Sequence, residues 1–156
     1  MKCARNAAAN PKNIYAYRSI LLQGDLYRAS GGQYLHNAAA VYAGILADPR
    51  FDVESREWRM AIFALGETLY ELGQWEEALL RLEEAIARFP NDEHVGGARY
   101  YLGLSLRQAA LAAPEMAENL LSRVADTFSL IASGETRADL RRAREALVLD
   151  AEFLPI

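Results

Sequence analysis

The sequence predicts an all-α protein, a stack of helical hairpins forming an α-solenoid and closed by a polar helix at its C-terminal end. Three observations lead there. Apolar residues recur at helical spacing nearly throughout the 156 residues. Glycine and proline cut that pattern into seven segments. The segments pair into hairpins, and the hairpins recur with a period in the high thirties, a repeat signature. No stretch alternates apolar and polar residues with β-branched enrichment, so strands are not expected.

The fourth segment is the clearest. Trp75, Ala78, Leu79, Leu82, Ala85, Ile86 and Phe89 follow i, i+3, i+4, i+7 spacing. Glu76, Glu77, Arg81, Glu83, Glu84 and Arg88 lie between them as a solvated face, with Arg81 and Arg88 expected as i+4 partners of Glu77 and Glu84. Gly73 before it suits a C′ position with φ > 0, and Pro90 after it cannot continue a helix. The same grammar places helices near 13–30, 34–47, 55–72, 75–88, 93–110, 115–129 and 136–149. Gly31-Gly32 ends the first and Pro49 follows the second. Ser55 can cap the third, Pro90-Asn91-Asp92 opens the fifth, and Pro114 the sixth. Ser133-Gly134 precedes the seventh, where Thr136 with Asp139 makes a capping-box-like start. No linker is long enough to divide the chain, so a single domain over 1–156 is expected.

Gly66 recurs as Gly103, while Ala78, Leu82 and Phe89 recur 39 residues later as Ala117, Leu121 and Phe128. The first pair offers Gly24, Tyr27, Gly31, Tyr34, Ala38, Tyr42, Ile45 and Pro49. Small residues such as Gly66, Ala78 and Ala85 let helices approach closely, and Leu65, Leu82 and Trp75 fill the gaps. One hairpin cannot bury its apolar face alone, so neighbours must stack.

At Leu65-Gly66, Gly73, Trp75, Ala78, Leu82, Ala85 and Pro90 the chain resembles the tetratricopeptide repeat family. Residues 59–92 match that pattern closely, with Leu69 displacing the aromatic expected one turn after Leu-Gly. Residues 96–131 match loosely, with two extra residues around Pro114 and Ser129 where proline is expected. Residues 17–50 read in two registers: Pro49 supports one, Ala38 and Tyr42 another, one residue along. The resemblance implies a right-handed solenoid of about three hairpins with a capping helix near 136–149. Pro90 to Gly103 is longer than the family consensus. In that respect the chain is similar to the repeats of bacterial envelope-assembly and Tol–Pal-type periplasmic proteins. Pro11 to Gly24 has the same spacing. Residues 3–11 therefore read as the end of a helix whose hairpin partner is missing. That predicts either a segment of a longer repeat array or an N-terminal edge that pairs with another chain, as in a homo-oligomer.

Composition narrows the function classes. Seventeen Lys+Arg against 21 Asp+Glu give a net charge of −4, so no overall basic field recruits nucleic acid. No apolar run approaches the roughly 18 residues of a transmembrane helix. The start, MKCARNAAANPKN, lacks the apolar core of a signal peptide. Cys3 is the only cysteine, which fits the cytoplasm or the periplasm equally. His36 and His94 have no companion at metal-ligand spacing, and no nucleophile, zinc or phosphate-loop motif occurs. No cofactor is expected, and a non-catalytic role is. Arg137, Arg141, Arg142 and Arg144 concentrate basic charge; they read as a patch for an acidic partner or as the polar face of the cap.

What remains is a surface. The resemblance implies that the first helix of each hairpin lines a concave face holding a protein or peptide partner. The residues carried over are Phe63, Glu67, Tyr70 and Glu71, with Met60, in the second hairpin, and Tyr100, Leu104, Arg107 and Gln108 in the third. Arg18, Leu21, Asp25 and Arg28 are carried over in the first. Such aromatics also pack between helices. The expected function is a scaffold or adaptor, such as a subunit of a bacterial envelope complex. A regulatory peptide- or ligand-sensing module, or a non-catalytic domain of a larger enzyme or secretion machine, is the alternative.

Overall fold

The structure, a computed structural model, describes residues 14–133. The expected helix near 136–149, its arginines, and residues 3–11 lie outside the described residues. Among these there are six α-helices and no strand: α1 (Ile14–Ser30), α2 (Leu35–Ala47), α3 (Arg56–Glu71), α4 (Trp75–Arg88), α5 (Val95–Ala112) and α6 (Ala117–Ala132). No described helix is long and apolar enough to cross a membrane. The helices form two compact units, one running to Gly73 and the other starting at Gln74.

The punctuation works as elementary backbone chemistry requires. Gly31, Gly32 and Gly73 have φ of 64°, 51° and 75°, the region that favours glycine. Ser55 Oγ accepts from the Trp58 backbone N–H at 3.2 Å, capping α3. Asp92 Oδ1 accepts from the His94 backbone N–H at 2.9 Å and lies 2.7 Å from its Nδ1, so the carboxylate, with the histidine, opens α5. A 3₁₀ turn, Pro114–Met116, delays the start of α6 to Ala117.

In the first unit, α1 packs on α2 and α2 on α3, with α1 also touching α3. The buried face of α2 is Ala38, Tyr42 and Ile45, so the register supported by Ala38 and Tyr42 is the one that packs. Gly24 of α1 lies against the Tyr42 ring: a Cβ there would meet Cε1 at 2.6 Å. The Trp58 indole N–H donates to the Leu46 carbonyl at 3.3 Å, satisfying an orphan acceptor in the last turn of α2. Tyr17 and Phe51 meet edge to face at 4.7 Å, anchoring the connection after α2.

In the second unit, α5 packs on both α4 and α6. Ala78, Leu82 and Ala85 of α4 are fully buried, as their spacing predicts. On its exposed face, Arg81 pairs with Glu84 at 3.1 Å and not with the expected Glu77; Arg88 also takes Glu84, at 3.0 Å. A second departure concerns α6. Aligning Leu121 with Leu82 makes it the large packing residue, yet it is only half-buried, and Phe128 lies on Gly103. The reason is length. α5 continues nine residues beyond Gly103 to Ala112, where α1 continues six beyond Gly24 to Ser30. An antiparallel partner must then meet the glycine further along its own helix.

Candidate functional site

α1 and α3 lie side by side and parallel. Near their N-terminal ends Arg18 Nε is 3.6 Å from Glu57. Near their C-terminal ends Arg28 holds Glu67 at 2.7 Å and Glu71 at 2.8 Å. Ten residues separate both the arginines and Glu57 from Glu67, so the helices keep the same register along this length. Arg18 to Glu57 and Arg28 to Glu67 are each 39 residues apart. In the second unit Arg123 of α6 pairs with Glu83 of α4, 40 residues away. Ion pairs between helices two apart therefore fall at the period read from the sequence.

At the C-terminal end of the α1–α3 seam there is an open cleft of about 360 Å³ lined by Asp25, Arg28, Ala29, Tyr42 and Glu71. Tyr42 is fully buried, and its hydroxyl donates to Asp25 Oδ1 at 2.7 Å. Burial, then that hydrogen bond, pushes the phenol well above its ordinary pKa. Burial works against the Arg28 charge, but the hydrogen bond to Glu71 and the nearby carboxylates outweigh it and hold the guanidinium above its ordinary value. Three carboxyl groups (Asp25, Glu67, Glu71) against one guanidinium leave a formal charge of −2 at this end of the seam. Asp25 and Glu71 each have acceptor capacity beyond the bonds they make, so the cleft can take a cation.

No family model, curated protein or solved structure matches this chain.

The residues expected to face a partner divide into three groups. Arg18, Asp25, Arg28, Glu67 and Glu71 come together on the α1–α3 seam. Phe63 at 1% exposure, with Leu21 and Leu104 at 7%, is packed inside. Met60, Tyr70, Tyr100, Arg107 and Gln108 are half-buried, with the Tyr100 ring edge-on to Tyr101 at 5.6 Å. Tyr42 is the residue that sequence reasoning left out, because its spacing marked it as core. The available signal was a tyrosine where phenylalanine would fill the same space, since a buried hydroxyl needs a partner.

Proposed function

We propose that this chain is a non-catalytic helical-repeat scaffold whose α1–α3 face holds a segment of a partner protein. The single observation that carries the reading is the in-register pairing of Arg18 with Glu57 and Arg28 with Glu67, each 39 residues apart. Helices two apart that run parallel at the repeat distance are what a stack of hairpins produces, and such stacks present one helix from each hairpin on a continuous face. The resemblance of residues 59–92 to the tetratricopeptide repeat supports the same reading. The seam's groups suit recognition more than chemistry. Its arginine is saturated by two carboxylates, and its phenol is locked to a third.

Photo-crosslinking tests this. A crosslinking amino acid at Ala29 or Glu71 should capture a partner from lysate of the producing organism, while one at Arg81, on the exposed face of α4, should not. Equal capture from all three positions, or none, overturns the reading.

A further inference from the structure

One face of α1 is apolar and exposed. Tyr15, Leu22 and Leu26 are 73%, 57% and 61% exposed, and Ala29 continues the stripe at i, i+7, i+11 and i+14. The corresponding face of the other long helices is covered. Leu26 is two residues past Gly24; Thr68, two past Gly66, and Ser105, two past Gly103, are both 0% exposed. A helix face that packs in α3 and α5 is thus left bare on α1, and with leucine where they have small polar residues. Ala29 belongs both to this stripe and to the cleft that carries Asp25 and Glu71. An apolar ridge therefore adjoins a cleft end with formal charge −2.

We infer that this face of α1 takes an amphipathic helix with a basic flank. Its apolar side chains cover Leu22, Leu26 and Ala29, and one lysine or arginine enters the cleft between Asp25 and Glu71. The inference rests on the scaffold reading and deepens it by naming the partner's chemistry. Leu22, Leu26 and Ala29 are one helical turn or less apart along the ridge, which matches the i, i+3, i+4, i+7 anchors of a docked helix. Charge sets which helices are accepted and in which orientation, while the apolar contact supplies most of the affinity.

The test uses the full chain and three synthetic helices of ~15 residues, a length at which an alanine-rich helix holds. They share one leucine face and carry lysine, glutamine or glutamate on the other. The lysine helix should bind about tenfold tighter than the others, equivalent to ~1.4 kcal/mol. It should slow hydrogen exchange over residues 18–29. Leu26→Ser should weaken it about tenfold and Glu71→Gln about threefold. Glu93→Gln, an exposed carboxylate outside the cleft, should leave it unchanged. If Glu93→Gln weakens binding as much as Glu71→Gln, the attraction is bulk charge and the inference fails. If the glutamate helix binds equally well and still protects α1, the basic flank is wrong while the scaffold reading survives. If no helix protects α1 and light scattering shows a concentration-dependent dimer, a second copy is the occupant and the inference is overturned. Failure of the scaffold reading is separate: it is the absence of position-dependent crosslinks from Ala29 and Glu71.

Discussion

Gly103 lies directly beneath the ring of Phe128, with no room between them for a methyl group. Gly24 and Tyr42 make the same kind of contact in the first unit. Gly103→Ala sets two effects against each other. Alanine gains about 1 kcal/mol of helix propensity over glycine, but the overpacked ring costs about 1–3 kcal/mol. The close contact should win. Denaturant midpoints should fall for Gly103→Ala, and Phe128→Leu in the same chain should recover part of that loss. A stabilised Gly103→Ala protein would mean that the helices are further apart.

Tyr42 should be the last of the eight tyrosines to ionise. A phenol raised in the folded state binds its proton where the unfolded chain has lost it. Its contribution is fully present below the unfolded value of about 10 and is lost as pH rises above that value. Absorbance near 295 nm should show one tyrosine that titrates only with unfolding. Tyr42→Phe should remove that step and flatten the fall in stability above pH ~10. If all the tyrosines of the folded chain titrate together near the ordinary value, the Asp25 hydrogen bond is absent in solution.

Removing Arg28 leaves Glu67 and Glu71 side by side without their cation. Arg28→Met should cost about 1–2 kcal/mol, because hydrogen bonds to charged groups are lost but the site is partly wet. Arg123→Met, which breaks a more exposed pair with Glu83, should cost no more than about 0.5 kcal/mol. Equal losses in urea melts would deny the Arg28 triad any special weight.

Ser105 is fully buried, and its hydroxyl finds no hydrogen-bond partner among the described residues. Ser105→Ala removes an unsatisfied group and improves helix propensity. It should stabilise the protein by about 0.5–1 kcal/mol. A loss of stability would show that the hydroxyl is satisfied in solution.

Ala78 and Glu77 are neighbours with opposite surroundings, one at 0% exposure and the other exposed. Ala78→Leu should cost about 1–3 kcal/mol by overpacking. Glu77→Leu should stay within about 0.5 kcal/mol of the parent. Indistinguishable denaturant midpoints would mean that the buried side of α4 is misassigned.

The helices were legible because their signals are local. Ser55, Gly73 and Pro90 each act on the few residues beside them, and the Ala78–Leu82–Ala85 stripe needs only the geometry of one helix. Tyr42 against Gly24 was harder, because it depends on how far α1 runs before the chain turns. The same uncertainty misplaced Leu121, where three extra residues past Gly103 changed which residue of α6 meets the glycine. The site was half legible. Arg18, Asp25, Arg28, Glu67 and Glu71 were named individually, but their pairing at a 39-residue spacing needs two helices in register. Single-helix patterns also did not separate Phe63 and Leu104, which pack inside, from half-buried Tyr70, because both kinds of residue are apolar or aromatic on the same helices.

Trp58 and Trp75 are the only tryptophans, and one falls in each unit. Trp58 is 6% exposed, with its indole N–H on the Leu46 carbonyl, whereas Trp75 is half-buried at the head of α4. The chain therefore carries its own pair of optical gauges. The emission of a Trp75→Phe protein reports the junction of α2 with α3 alone, and that of a Trp58→Phe protein reports the start of α4. Whether the two units lose structure together or in succession can be read from the colour of their fluorescence, without attaching a dye.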